Sequence, residues 1–317
     1  PLAAGGIAAG LLVAFGVATG FRFGHLLLAF LLLVHAMVGY VELGTDSWIA
    51  KITGAILASP ASGLLLFVYT SGLMFILRFF AGPIVERISP LGLLAVSAVF
   101  GATGLTMLGN ADGAVMCVFA ATIYGIGKTF LWPTMLGVVS EQFPKGGAIT
   151  IGAIGGVGML SAGLLGGPGI GFLQDSNASA ALRESDKDVY ERYKASDANS
   201  FLWLKTVGLD GAKVGVLEDD GTEAVRSLNL LKEQEAKPEA IVNQQALVDW
   251  WQDVAKSHAE MDKPLVENAG LTGGRKALLL TAYVPGAMFV CYLLLIGVFR
   301  IRGGYRQKTL DPELFTG

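Results

Sequence analysis

The chain has 317 residues, 53% of them hydrophobic and 15% charged, with a mean hydropathy of +0.57. A soluble domain cannot bury that much apolar surface, so the composition points to an all-α, polytopic integral membrane protein. The formal net charge of −3 carries no basic footprint for nucleic acid, and no such partner is expected.

Pro1 opens the chain with no initiator Met and no signal-peptide pattern, so an internal start is expected, in a fragment or a processed product. Residues 1–24 form a leading apolar segment. Its first twenty positions are uncharged and long enough to cross a bilayer, but rich in Gly and Ala: either a seventh crossing or a poorly ordered remnant. Six further spans stand out by hydrophobic length, over 25–48, 60–82, 91–109, 113–140, 147–173 and 276–299. Five of them fill 25–173. A loop over 174–273, a last span within 274–300 and a tail over 301–317 follow. The 43 glycines suit close packing of membrane helices.

Loop charge orients the spans. Arg87, Lys145, Arg300, Arg302, Arg306 and Lys308 fall on one side if crossings alternate, with Arg22 beside them. That side is expected to be cytoplasmic in a cell inner or plasma membrane, with the C-terminus inside and loop 174–273 outside. The loop holds most of the acidic residues. Its stretches 179–195, 222–236 and 239–258 carry helical patterning, with Leu247, Val248, Trp250 and Trp251 as candidate core, so a small helical cap is expected.

The first span ends in a polar cluster, His35-Ala-Met-Val-Gly-Tyr40-Val-Glu42-Leu-Gly44-Thr45-Asp46-Ser47-Trp48. On an ideal helix His35, Glu42 and Asp46 lie within about 60° of one another. They read as a substrate or proton site, or, for Glu42 and Asp46, as a helix end at the water boundary. After the second span comes Arg78-Phe-Phe-Ala-Gly82-Pro83-Ile-Val-Glu86-Arg87, where a glycine permits close helix approach and an acid–base pair can latch to a neighbouring helix end.

Near the middle of the fourth span stands Lys128, in Tyr124-Gly-Ile-Gly-Lys128-Thr-Phe-Leu-Trp132-Pro133. A bare ammonium at bilayer depth costs about 3 kcal/mol or more. Tyr124, Lys128 and Trp132 form one stripe that offers donors and flat faces to a sugar-like ring, and Pro133 frees a backbone carbonyl one turn earlier. Glu42 is a plausible ion-pair partner for Lys128. The fifth span is packed with glycine from Gly152 to Gly171, and reads as a flexible packing helix.

Cys117 and Cys291 read as buried thiols, the histidines show no metal-ligand spacing, and neither a metal nor a cofactor is expected. The Ser, Asp and His258 of the cap have no spacing that builds a triad, so no enzyme is expected.

Together these residues resemble the major facilitator superfamily. Gly82-x-x-x-Glu86-Arg87 resembles its motif A. Leu131-Trp132-Pro133-Thr134 through Ser140-Glu141-Gln-Phe-Pro144-Lys-Gly-Gly is similar to the fourth helix of the C-terminal half. Glu42-Leu-Gly-Thr-Asp-Ser-Trp48 is similar to the first helix of that half in fucose-permease-like sugar permeases. Motif A normally has Asp at Glu86, and Gly followed by basic residues at Ser89, Pro90 and Leu91, and the large outward loop is unusual. The resemblance implies one six-helix, possibly seven-helix, half of a twelve-helix fold. It implies a secondary transporter that moves a small polar solute by alternating access, a sugar-like symporter coupled to protons, completed by a missing N-terminal half or a second subunit. Lys128, Trp132, Tyr124 and Glu42 are then expected to contact solute. His35, Glu42 and Asp46 would serve coupling, and Arg78, Gly82, Glu86 and Arg87 a cytoplasmic latch. A receptor or sensor that binds solute without moving it is the alternative.

Overall fold

The computed structural model describes residues 25–308; the leading segment and the end of the tail lie outside the described residues. Among the described residues, six helical runs are long and apolar enough to cross a membrane: Leu26–Gly44, Pro60–Arg78, Pro90–Gly109, Ala114–Gln142, Pro144–Ser185 and Pro238–Ile301. The chain is therefore a multi-pass, all-α membrane protein.

The helices are α1 (Leu26–Gly39), α2 (Ile49–Ile56), α3 (Pro60–Arg78), α4 (Ala81–Ile88), α5 (Pro90–Gly109), α6 (Ala114–Thr129), α7 (Leu131–Gln142), α8 (Gly147–Ser161) and α9 (Gly167–Ser185). After them come α10 (Lys187–Tyr193), a hairpin of β1 (Asn199–Phe201) and β2 (Leu204–Thr206), α11 (Gly211–Glu218), α12 (Thr222–Glu233), α13 (Pro238–Trp250), α14 (Ala259–Thr281) and α15 (Tyr283–Ile301). Two starts share one device: Ser59 and Ser89 accept from the backbone N–H three residues on, at 3.2 Å, and each is followed by proline at the first helical position, where no N–H is needed.

The apolar spans pack around a core that includes Leu31, Val34, Leu94, Leu105, Met135 and Tyr292, all fully buried. α5 packs on α6 and α15, and α1 on α8. Two spans do not stop at the bilayer. α9 continues the fifth and α14 precedes the sixth, and they pack along each other, with Gly273 against the Gln174 carbonyl and Ala178. The run Pro144–Ser185 is about 60 Å long at 1.5 Å per residue, twice the hydrocarbon thickness. The two helices make a stalk that carries the loop as a folded cap.

The cap has its own core, separate from that of the spans, built on Leu182, Tyr193, Leu217, Leu228, Val248 and Trp251. Leu247 and Trp250 are partly buried against it. Buried Asp262 of α14 accepts two hydrogen bonds from Arg192 of α10, at 2.7 and 2.9 Å, which ties cap to stalk. The helical patterning anticipates neither α11 nor the hairpin. The hairpin roots on α9, where the Phe201 ring lies against Gly169.

Candidate functional site

The polar residues of the first span sit where its helix changes pitch. Tyr40–Gly44 is a π turn, after which the helix breaks at Ser47 and Trp48 and restarts as α2. A π turn widens the helix and leaves carbonyls short of their usual partner. Here the Val41 carbonyl accepts from the Tyr124 hydroxyl at 2.7 Å and from the Thr45 hydroxyl at 2.6 Å. A second π turn, Ala162–Gly166, lies two residues before Pro168. The two distorted turns pack face to face through Gly44 and Gly166, whose backbones approach so closely that a Cβ at Gly44 would lie 2.6 Å from the Gly166 Cα.

The fourth span is broken at its middle. Pro133 lacks the N–H that would bond the carbonyl of Thr129, and α6 ends at that residue. Arg78 Nε donates to the freed Thr129 carbonyl at 3.3 Å, while its Nη2 donates to Glu42 Oε1 at 3.1 Å. The other carboxylate oxygen of Glu42 accepts from the backbone N–H of Trp132 at 3.1 Å, on the first turn of α7. Glu42 thus joins an arginine to a helix N-terminus. It is buried, with 3% of its surface exposed.

Lys128 is 1% exposed and bonds Asp46 Oδ1, with its ammonium also 5.5 Å from the centre of the Tyr124 ring. Glu42, the partner the sequence suggests, is engaged by Arg78 instead. On an undistorted helix Glu42 and Asp46 share a face, but the π turn and the break at Ser47 send them to different neighbours. A small cavity of about 10 Å³ beside Lys128 is lined by Thr53, Thr70 and Tyr124, roughly the space for one water.

His35 parts from the two carboxylates. It is fully buried with its ring centre 4.6 Å from that of Trp132, and neither ring nitrogen has a hydrogen-bond partner. Both rings rest on Gly158, where a Cβ would come within 2.8 Å of either. Two ion pairs, Glu42–Arg78 and Asp46–Lys128, therefore tie three spans together, with the His35 and Trp132 rings packed edge to face nearby.

The expected latch does not assemble here. Arg78 pairs with Glu42 instead, and among the described residues Glu86 and Arg87 make no ion pair. α4 buries none of its residues, and a Cβ at Gly82 would meet open space, so no close helix approach depends on this glycine. Ser89 adopts φ 65° and ψ 157°, a conformation natural to glycine, at the position where the resemblance leads one to expect glycine.

Sequence reading passed over Thr45 and Ser161, whose hydroxyl donates to the Ala36 carbonyl at 2.6 Å. The signal for Thr45 was a threonine beside an intramembrane aspartate, whereas the freed carbonyl at Thr129 is the one that Pro133 predicts. No family model and no curated protein matches the chain.

Proposed function

We propose that this chain is one half of a secondary transporter of the major facilitator kind, carrying a small polar solute by alternating access with coupled protons. The observation that supports it most is the pair of ion pairs Glu42–Arg78 and Asp46–Lys128 that joins three of the spans. Lys128 lies midway along Ala114–Gln142, at the depth where charge is most costly. A purely structural pair would be sealed on all sides. This one is not: the side chains of Arg78 and Asp46 are 46% and 26% exposed. Charge that is open on one side at bilayer depth needs water, solute or further helices against it.

In this reading Lys128 and Tyr124 supply donors to the solute, the half-buried Trp132 supplies a flat face, and Glu42 and Asp46 exchange between solute, proton and their cations. The two π turns packed at Gly44 and Gly166 form the deformable segment that alternation requires. Uptake of a panel of labelled sugars and related solutes into proteoliposomes tests the assignment. Lys128→Ala is expected to lose at least tenfold in uptake rate, and an imposed pH gradient to drive accumulation. Unchanged uptake in the variant would remove Lys128 from the site, and indifference to the gradient would remove the coupling.

The independently cored cap favours one second reading, a membrane receptor that binds solute without moving it. Deleting 180–265 separates the two. Transport that survives makes the cap accessory, whereas absence of transport with and without the cap favours the receptor.

A further inference from the structure

The charge-free stretch from Ala277 to Phe299 is about 35 Å of helix at 1.5 Å per residue, enough to cross the hydrocarbon core. Lys276 and Arg300 bracket it, so Lys276 stands in the headgroup layer on the cap side. The end of α5 fixes the same level independently, because Gly109 packs on the Arg275 carbonyl and on Leu279. At that level a groove of about 530 Å³ opens between α5, α9 and α14. Thr106, Asn177 and Lys276 line its polar end, and Leu279, Leu280 and Tyr283 run from there toward the middle of the bilayer. Leu280 and Tyr283 are 39% and 75% exposed, so among the described residues the groove presents an apolar floor without a protein cover.

Charge at the polar end is unbalanced. Arg275 Nη2 donates to Asp112 Oδ1 at 2.8 Å and to the Ala111 carbonyl at 2.7 Å, which occupies the neighbouring carboxylate. Among the described residues Lys276 has neither an ion-pair nor a hydrogen-bond partner. Asn177 spends one N–H on the Leu173 carbonyl, at 2.7 Å, which leaves the rest of its amide for a ligand.

We propose that this groove binds an anionic phospholipid of the cap-side leaflet. Lys276 takes the phosphate, the Asn177 amide bonds the headgroup, and one acyl chain lies along Leu279, Leu280 and Tyr283. A lysine stem that runs along apolar surface to a cationic tip at the headgroup layer is suited to this. The inference rests on the membrane reading of the spans and not on transport, so either can fail without the other.

Native mass spectrometry of the full chain, released from micelles with equal amounts of phosphatidylglycerol and phosphatidylcholine, tests it. The expected result is retention of phosphatidylglycerol by about fivefold over phosphatidylcholine, the factor that one lysine near a charged surface provides. Lys276→Gln is expected to abolish the preference and Lys276→Arg to keep it. Leu280→Trp, which fills the groove without touching charge, is expected to release the retained lipid. Both positions are solvent- or lipid-exposed, so folding is preserved, and helical content by circular dichroism checks this. No preference in the parent chain, a preference that survives Lys276→Gln, or lipid retained by Leu280→Trp would each overturn the proposal.

Discussion

At the residue scale the site is a problem of charge compensation. Lys128 is buried and, among the described residues, Asp46 is the carboxylate it bonds, so Asp46→Asn leaves the ammonium without its ion-pair partner. Removing one partner of such a pair costs about 3 kcal/mol, whereas replacing both by neutral groups of similar size costs far less. Denaturant unfolding in detergent is therefore expected to show Asp46→Asn strongly destabilised, Lys128→Met less so, and the double variant closer to the parent than the sum of the two. Strict additivity would mean that the two side chains do not hold each other. Much of this cluster was legible in the sequence, because a lysine, two carboxylates and a histidine in apolar spans are each anomalous by composition. The pairing was not. It depends on where the helix changes pitch at Tyr40–Gly44, and no periodicity argument carries through a π turn.

At the scale of elements, the breaks in the helices have separate local causes. Pro133 ends α6 and gives Arg78 its acceptor at Thr129, and Thr45 and Tyr124 hold the π turn through the Val41 carbonyl. Ser89 is a different case, a cap residue in a backbone conformation suited to glycine. Its side chain contributes a hydrogen bond to Gly92, and its Cβ suffers strain of about 1–3 kcal/mol. Replacing a serine cap by glycine costs only a few tenths of a kcal/mol, and by alanine about 1 kcal/mol. Ser89→Gly is thus expected to raise the thermal unfolding midpoint and Ser89→Ala to lower it, and a lower midpoint for Ser89→Gly would show that the turn carries no strain. The existence of the spans was readable because hydrophobic length alone defines them. Their full extent was not: hydropathy stops near residue 173, but the helix needs no apolar residues to continue as the stalk through Ser185. The short hairpin was invisible for the same kind of reason, since three-residue strands carry no period.

At the scale of the whole molecule, the six spans have unlike faces. One face of α15 carries Leu293, Leu294 and Val298 into lipid, 47%, 59% and 41% exposed, with no polar group among them. The face that carries Arg78, Asp46 and exposed Ser47 sets charge toward the outside of the bundle at the level of the broken first helix. Lipid cannot solvate those groups, so this face must meet water or a further set of helices that encloses water. Replacing Cys117 and Cys291 by alanine and introducing single cysteines distinguishes the two faces. A membrane-impermeant maleimide added to intact proteoliposomes is expected to label Ser47→Cys and to leave Leu294→Cys unlabelled. A transported solute is expected to slow the first reaction, because the cysteine is next to Asp46. Ser47→Cys that resists the reagent as fully as Leu294→Cys, in the presence and absence of a pH gradient, would place both faces in lipid. The exposed charges would then be a buried contact with another protein, and no aqueous path would reach Lys128 from that side.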